Sequence, residues 1–497
     1  MISQKVSSIE ARWRVARSLH VCFILLMLFS SASAADEKVA QTAISIVSLS
    51  PPRIRVEGQL AGETTNWKFL DEYADILSLS DRVENLRVFT ADNSVIPVRR
   101  LKPGEFASAS PANRFSYEVN LNPPAASVNA AHISWLTAEY GALMLDDLLP
   151  QVVRQTCLQV TMPQGWKLHT SEPQSAGGCF DIRNTEKAII WAGRETRAYQ
   201  GRTRAINFTF ITQGKWSFAD EEVVSSISTI LKEHENVTGA TPFKHALVIV
   251  APFPVPTDAH RWSAQTRGNT VLLLSGNMAA RTAALSRLNL SLVHELFHLW
   301  VPNGLALSGN YDWFYEGFTT YQATRAATEL DFLTFQEYLD AIARAYDRYR
   351  AQVQAANHSL LAASEQRWRD AGTLVYHKGM VVAFLYDLDI RLRTNGKRSL
   401  SDVYRELLRR HAHGQLSQDG NSSVVQVLHS FMENAPKAHR YLMSEGVIDL
   451  TTELSPYGLE VEKRGAATRI HVASALQGAQ YKLLRKIGYN DQVNRRH

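Results

Sequence analysis

The chain has 497 residues, of which 45% are hydrophobic and 20% charged, a composition typical of a globular protein with two or three domains. Its formal net charge is +5, and it falls to about +2 without the first 34 residues, which hold four bases and one acid. Such a small charge excludes the basic surface of a nucleic-acid-binding protein, so no nucleic-acid partner is expected.

Residues 1–34 have the order of a secretory signal peptide. Basic residues from Lys5 to Arg17 precede a short apolar run at residues 21–29, and Ala-Ser-Ala at residues 32–34 is a cleavage signal. The run is too short to cross a bilayer comfortably, and no other segment is apolar for long enough. We therefore expect an exported protein, periplasmic or secreted, with no stable membrane span after cleavage. An uncleaved N-terminal anchor is the alternative.

Residues 35–215 are predicted to form a β-rich N-terminal domain. From about residue 40 to residue 212, short alternating or β-branched runs are broken by Pro, Gly, Asn or Ser every ten residues or so. This spacing predicts an antiparallel β-sandwich. Cys157 and Cys179 lie in this region, and in an exported chain they are candidates for one disulfide. Two free thiols are the alternative.

The pattern changes near Ser217. Residues 218–234 predict an amphipathic helix, and residues 245–250 and 270–274 predict two buried strands. Helical periods then dominate to about residue 443. The sequence therefore predicts a second domain over residues 216–450, with a small α/β part and a larger helical lobe. Residues 451–497 could add a few strands and are predicted only as a short C-terminal extension.

The central motif is His294-Glu295-Leu296-Phe297-His298, in a predicted helix that Pro302 stops. Positions i and i+4 of a helix share one face, so both imidazoles can bind one ion. Glu295 then lies beside the metal without having to bind it. That arrangement suits a general base acting on water.

Glu316 follows His298 by 18 residues, in a segment, residues 313–321, that also looks helical. A second helix returning across the first would place this carboxylate beside His294 and His298. Two histidines, one carboxylate and an open position are typical of a catalytic zinc site with one Zn²⁺ per chain. A buried structural histidine pair with an unrelated glutamate is the alternative.

The aromatic residues around Glu316 are predicted to pack in the core; they are Trp313, Phe314, Tyr315, Phe318 and Tyr321. Asp312 and Thr320 lie about one turn on either side of Glu316. Either could orient a metal ligand, and capping or surface roles are equally open.

Tyr376 precedes a long predicted helix over residues 380–394 and is the candidate donor to a developing oxyanion, with simple packing as the alternative. In that helix Asp387 and Arg391 are four residues apart, as are Asp389 and Arg393. Both pairs are predicted to form a solvated face.

Together these motifs resemble the glycyl aminopeptidase family of gluzincin zinc metallopeptidases. The resemblance covers about residues 216–450. It rests on HELFHLW from His294, EGFT from Glu316 and YHKG from Tyr376, and it continues through DLDIR at residues 387–391 and SLSDV at residues 399–403. It implies an α+β fold in which an N-terminal β-sandwich is followed by a thermolysin-like catalytic domain with a mostly α-helical lobe.

The resemblance also implies the roles of the site residues. Zinc would be bound by His294, His298 and Glu316, while Glu295 activates water and Tyr376 stabilises the oxyanion. The expected activity is hydrolysis of peptide bonds, with a peptide or an unfolded protein segment as substrate.

The sequence departs from the pattern of related aminopeptidases in the residue that would anchor the substrate amine. These enzymes usually carry a glutamate on the edge strand of the active site, but no acidic residue occurs here between Asp258 and Glu295. Arginines occur instead, at positions 261, 267, 281 and 287. We therefore expect an aminopeptidase-like enzyme for which endopeptidase specificity is an open alternative. A non-catalytic exported binding module is the alternative from another class.

Overall fold

The computed structural model describes residues 39–353, 359–412, 414, 416–431, 433, 436–444 and 446–490. The predicted signal peptide, residues 1–34, lies outside the described residues. Among the described residues, no helix combines the length and the apolar character that a membrane crossing requires.

The strands of the described chain are numbered in order. They are β1 (Ala40–Leu49), β2 (Pro52–Lys68), β3 (Val83–Phe89), β4 (Val95–Ile96), β5 (Val98–Lys102), β6 (Glu105–Asn120), β7 (Trp135–Leu136), β8 (Tyr140–Met144), β9 (Thr156–Thr161), β10 (Lys167–Thr170), β11 (Phe180–Ile182), β12 (Ile189–Gly193), β13 (Arg197–Arg202), β14 (Asn207–Thr212), β15 (His245–Pro252), β16 (Trp262–Arg267), β17 (Thr270–Ser275), β18 (Leu307–Ser308), β19 (Gln418–Asp419), β20 (Leu459–Arg464) and β21 (Ala467–Val472).

The α-helices are concentrated in the second half of the chain. They are α1 (Leu145–Leu148), α2 (Asp220–Thr238), α3 (Arg281–Phe297), α4 (Thr319–Glu329), α5 (Phe335–Val353), α6 (Leu360–Ser364), α7 (Gly379–Arg393), α8 (Leu400–Arg410), α9 (Gly420–His429), α10 (Pro436–Met443), α11 (Leu450–Leu454) and α12 (Gly478–Lys486). Among the described residues, three further turns are π-helical: Trp313–Phe318, Arg367–Ala371 and Leu374–Lys378.

The N-terminal region forms two facing sheets, as predicted. One sheet has the order β11-β9-β1-β2-β6-β3-β4, with β5 also paired to β6, and the other has the order β10-β12-β8-β7. Along β2, Ile54 and Val56 point into the core between the sheets while Arg55 and Glu57 are exposed, which is the period-two pattern of a half-buried strand. Pairing is antiparallel except between β1 and β9, which run parallel.

The predicted disulfide is confirmed. Cys157 on β9 is bonded to Cys179, which lies just before β11, with the two Cα atoms 5.5 Å apart. Because β9 and β11 are neighbouring strands, the bond links the start of the edge strand β11 to the strand beside it.

A five-stranded sheet of order β13-β14-β15-β17-β16 begins the second unit. Its first two strands precede residue 216, so this sheet takes two strands from the segment that the sequence assigned to the N-terminal domain. The helix over residues 218–234 and the two buried strands are found as α2, β15 and β17. Within the described residues, the edge strand β16 pairs with β17; its residue pattern had not been predicted as a strand, although it lies in the stretch compared with the active-site edge strand of related aminopeptidases.

The two units share an apolar interface. Trp135 and Trp191 of the four-stranded sheet pack in one buried cluster with Ile249 and Leu272 of the five-stranded sheet. The N-terminal unit therefore packs against the second unit through side chains that are shielded from water.

Residues 451–490 belong to the helical lobe rather than to a separate domain. The β20–β21 hairpin contacts α5, where Asp347 accepts a hydrogen bond from the Thr468 amide at 2.8 Å. Arg325 donates to the Ile487 carbonyl at 2.9 Å, and Leu484 is fully buried in the core of the lobe.

The predicted solvated face of α7 is wrong. Asp387 and Asp389 are 1% and 3% exposed. Asp387 accepts hydrogen bonds from Tyr321, Arg391 and the Leu400 amide, and Asp389 accepts one from Tyr457. The i,i+4 spacing of the charges correctly predicted a helix. The two carboxylates are buried because the lobe packs over them, and they hydrogen-bond to neighbouring segments instead of facing water.

Candidate metal centre and active-site cleft

Helix α3 carries the two histidines of the central motif on one face. His294 lies within the helix and His298 follows its last residue, and their Nε2 atoms are 3.0 Å apart. Nδ1 of His298 is 2.9 Å from the Val301 carbonyl, which can only accept, so Nδ1 carries the proton. Its Nε2 therefore keeps a free lone pair, as a metal ligand requires.

Glu316 completes a set of three ligand atoms. Its Oε2 lies 3.4 Å from His294 Nε2 and 3.5 Å from His298 Nε2. A triangle with sides of 3.0, 3.4 and 3.5 Å has a circumscribed radius of about 1.9 Å. An ion at the usual zinc distance of about 2.0 to 2.1 Å from each atom therefore fits just above its plane. In the described part of the chain, His294, His298 and Glu316 thus form a group of three potential metal-binding side chains whose ligand atoms all lie within 4.8 Å of one another.

The segment that carries Glu316 and the segment that carries Tyr376 cross in backbone contact. A Cβ atom on Gly317 would come within 2.6 Å of Gly379, and one on Gly379 would come within 2.8 Å of Gly317. Only glycine allows so close an approach. The glycines of the EGFT and YHKG motifs therefore set the separation between the metal carboxylate and the tyrosine.

Three polar residues of the site lie on π-helical turns. Glu316, Arg367 and Tyr376 belong to the turns Trp313–Phe318, Arg367–Ala371 and Leu374–Lys378, respectively. Such turns insert an extra residue into a helix, which changes the direction of the side chains, and they are common at functional sites.

Glu295 is held apart from the metal ligands by the edge strand β16. Its Oε2 accepts a hydrogen bond from the Thr266 hydroxyl at 2.7 Å, and that hydroxyl is also 3.0 Å from the Glu295 carbonyl oxygen. The carboxylate is 6% exposed and borders the cleft. The structure thus places a second carboxylate next to the ligand set with one oxygen already oriented.

Tyr376 lies near the same centre, and its oxygen accepts a hydrogen bond from Arg367 at 2.6 Å. Burial, together with the negative charge of Glu316, raises the pKa of the Tyr376 hydroxyl well above its usual value. The hydroxyl therefore remains protonated and can act as a hydrogen-bond donor.

Glu316 stays ionised in spite of its burial. Burial raises the pKa of its carboxyl, but the Arg367 charge and the contacts with the two histidines outweigh this effect, so the pKa lies well below its usual value. An ionised carboxylate is the form that binds a metal ion.

The other residues of this segment divide as follows. Trp313, Phe314, Phe318 and Tyr321 are fully buried, which confirms core packing. The fifth aromatic residue, Tyr315, packs partly against the core, but its hydroxyl accepts from Arg367 at 3.1 Å at the border of the cleft.

Asp312 and Thr320 have different roles from each other. Asp312 forms an ion pair with Arg367 at 3.3 Å, and Arg367 in turn contacts Glu316, so Asp312 acts on the ligand indirectly. The Thr320 hydroxyl donates to the Glu316 backbone carbonyl at 2.8 Å and does not contact the carboxylate.

The site opens into a cleft of about 1250 Å³. The N-terminal region, the part of the second unit around the five-stranded sheet and the helical lobe all contribute residues to its lining. Its described lining contains the carboxylates of Glu295, Asp312 and Glu316, and all three have partners in the site. The described lining also contains six basic side chains: Lys187, Arg267, Arg287, Arg344, Arg348 and Arg367.

The arginines named from the sequence do not act as one group. Arg267 is buried and paired with Asp146 at 2.6 Å. Arg281 pairs with Glu222, and Arg261 donates to the Val128 carbonyl. Of the four, only Arg267 and Arg287 line the cleft. The arginines that occur in place of acidic residues in this stretch are therefore divided between the cleft and other parts of the fold. Among the described residues, Arg344 and Arg348 on α5 are exposed and border the cleft without an ion pair.

Two site residues were missed by the sequence analysis. Thr266 lies on a strand that carries no recognisable motif, and Arg367 lies in a polar stretch of ordinary composition. Their partners are 29 and 51 residues away in the chain, so no local pattern marks them. The lack of acidic residues between Asp258 and Glu295 did draw attention to the edge strand on which Thr266 lies.

No family model matches the sequence, and no curated protein gives a significant match. Solved structures do match. An aminopeptidase N family protein from Idiomarina loihiensis superposes with a TM-score of 0.71 at 16% identity, over 86% of this chain and 79% of that one. An M1 zinc metallopeptidase from Deinococcus radiodurans gives 0.54 at 12% identity, over 84% and 95%.

A mutant of the Deinococcus radiodurans enzyme bound to a Tyr-Ser-Ala substrate gives a TM-score of 0.55 at 12% identity, over 84% of this chain and 95% of that one. At such low identities the likeness establishes the fold and leaves the activity to be argued from the site. The chain therefore has the α+β fold of these M1-type metallopeptidases, which confirms the gluzincin fold that its motifs predicted.

Proposed function

We propose that the protein is a zinc-dependent peptidase that hydrolyses peptide bonds in exported peptides or unfolded segments. The observation that carries this proposal is the convergence of His294, His298 and Glu316, with distances that fit zinc, beside a separate buried carboxylate, Glu295. A structural metal site has no need of that additional carboxylate.

Each residue has a distinct task in the proposed reaction. Zinc held by this ligand set would supply Lewis-acid polarisation and lower the pKa of the attacking water. Glu295 accepts the proton from that water and later donates it to the leaving amine. Tyr376 donates a hydrogen bond to the carbonyl oxygen as that oxygen gains negative charge.

A non-catalytic binding module with the same fold is the rival proposal. It would need no general base and no oxyanion donor, yet Glu295 and Tyr376 are both present and both border the cleft. The solved neighbours, one named as an aminopeptidase N family protein and others as zinc metallopeptidases, favour the enzyme as well.

We further propose that the enzyme does not depend on a free substrate amine. An ammonium group loses its hydration when it enters a cleft, so it needs a carboxylate opposite. Every carboxylate in the described lining already has a partner in the site, and the described lining carries more basic than acidic groups. Peptides with a blocked N-terminus or with acidic side chains suit such a cleft. Sequential removal of single residues, the aminopeptidase mode, is the alternative.

The exported setting is part of the proposal. The predicted signal peptide supports it, and so does the disulfide between Cys157 and Cys179, because such bonds persist mainly in oxidising compartments.

Metal analysis and a peptide-hydrolysis assay test the proposal directly. The purified protein should hold one zinc per chain and cleave members of a peptide library. His294→Ala combined with His298→Ala should lose the zinc and the activity, whereas His471→Ala, which changes a histidine outside the cleft, should keep both. Full zinc occupancy in the double variant would show that the ligands are assigned wrongly.

A further inference from the structure

Arg367 occupies the centre of the polar network behind the metal site. Its guanidinium contacts four oxygens of the described chain, those of Glu316, Tyr376, Tyr315 and Asp312, at 2.7, 2.6, 3.1 and 3.3 Å. Its side chain is only 9% exposed. A buried arginine with this many partners has been fixed in one orientation, because its planar donor groups match only one arrangement of acceptors.

The contacts are divided between the two terminal nitrogens in an informative way. Nη2 donates to both Glu316 Oε1 and the Tyr376 oxygen, while Nη1 is directed to Asp312 and Tyr315. One nitrogen, with its two hydrogens, thus links the metal carboxylate to the oxyanion donor. These two residues lie on separate π-helical turns.

For Glu316 this contact decides which oxygen faces the metal. Oε1 is occupied by Arg367, so Oε2, which lies 3.4 and 3.5 Å from the two imidazoles, is the oxygen left for the ion. Without the arginine the carboxylate could rotate and present either oxygen or both.

For Tyr376 the same nitrogen decides where the hydroxyl hydrogen points. Because Arg367 donates to the tyrosine oxygen, the hydrogen of the hydroxyl cannot be directed at Arg367. It is left for an acceptor in the cleft, where the reacting carbonyl oxygen would lie.

We propose that Arg367 is a positioning residue that sets Glu316 and Tyr376 in register with each other. It does not contact the substrate in this role. The inference rests on the proposed peptidase function, since Tyr376 has an oxyanion to stabilise only if hydrolysis occurs. It assigns to one side chain both the presentation of the metal carboxylate and the aim of the oxyanion donor.

The test compares Arg367→Lys and Arg367→Gln with Tyr376→Phe, alone and in combination. Zinc affinity is measured by competition with a chelator, and kcat and KM are measured separately on one peptide. We expect both Arg367 variants to lower zinc affinity and kcat by roughly tenfold to a hundredfold with little change in KM. Added to Tyr376→Phe, the Arg367→Gln change should lower kcat much less than it does alone, because the residue it aims is gone.

Arg391→Gln is the matched control, since it removes another buried arginine that is paired with an aspartate, outside the cleft. It should lower the melting temperature without changing zinc affinity. If Arg367→Gln does not fold, Arg367→Lys decides, because it keeps the positive charge between Asp312 and Glu316.

Several results would overturn the proposal. Unchanged zinc affinity and unchanged kcat in folded Arg367 variants would do so, and the peptidase function would then still stand. If the losses of kcat caused by Arg367→Gln and Tyr376→Phe were fully additive in the combined variant, Arg367 would not act through Tyr376. If the unsubstituted protein neither bound zinc nor cleaved any peptide, the proposed function itself would fail.

Discussion

The floor and the outer wall of the cleft differ in how their charges are satisfied. On the floor, Glu295, Glu316 and Tyr376 each have a hydrogen-bond partner at 2.6 to 2.7 Å, in contacts that are partly buried. On the wall, Arg344 and Arg348 are exposed and have no ion pair within the described residues. Groups that are fixed and shielded from water serve chemistry, because their orientation needs no rearrangement during the reaction. Exposed charges contribute little energy individually and instead select among substrates.

The largest expected effect comes from the two glutamates of the floor. Glu295→Gln keeps the size of the side chain and its position near Thr266 but removes the base. Turnover should fall by about a hundredfold to ten-thousandfold while zinc remains bound. Glu316→Ala should lose both zinc and activity. The measurement is kcat/KM together with metal content, and an active Glu295→Gln variant would contradict the mechanism.

Tyr376→Phe should have the next largest effect. It removes one hydroxyl from a buried side chain and leaves the ring in place, so the fold and the zinc should be retained. Loss of one oxyanion donor costs roughly a hundredfold or more in kcat. Tyr457→Phe, which removes a buried hydroxyl bonded to Asp389, is the control and should affect stability only. An unchanged kcat for Tyr376→Phe would return this residue to a packing role.

Thr266→Val should have a smaller effect on the same floor. The substitution keeps the shape of the side chain but removes the donor that orients Glu295 Oε2, so kcat should fall on the order of tenfold while zinc affinity is unchanged. Thr209→Val, on β14 of the same sheet and outside the cleft lining, is the control. Equal activity of both variants would show that Glu295 needs no orientation from the edge strand.

The wall should give the smallest effect, and one confined to substrate choice. Replacing Arg344 and Arg348 with glutamine should raise KM for a peptide with acidic residues by about twofold to fivefold, and less so for its neutral counterpart. Added salt should reduce the difference. Arg350→Gln, on the same helix but outside the lining, should leave both KM values alone. An equal change in KM for the acidic and the neutral peptide would show that Arg344 and Arg348 do not select among substrates.

A matched pair of peptides, one acetylated and one with a free amine, sharpens the same comparison. We expect the unsubstituted enzyme to cleave the acetylated peptide at least as well as the free one, because every carboxylate in the described lining has a partner in the site. A strong preference for the free amine, with single residues removed in sequence, would establish the aminopeptidase mode.

Local sequence determined the parts of this protein that depend on regular spacing. The alternation in β2, the amphipathic α2 and the i,i+4 placement of His294 and His298 all follow from strand and helix periods, which involve few residues. The glycines of the EGFT and YHKG motifs were visible as well. Why glycine is needed at these positions became clear only from the tertiary structure, in which the backbones of Gly317 and Gly379 are in contact.

Tertiary structure alone decided how the site is supported. Arg367 contacts Glu316 across 51 residues and Thr266 contacts Glu295 across 29, so neither pairing follows from any local period. The π-helical turns and the buried carboxylate of Asp387 escaped prediction for the same reason. Whether a charged side chain is solvated or paired depends on which helix closes over it, and that is set by long-range packing rather than by the residues beside it in the chain.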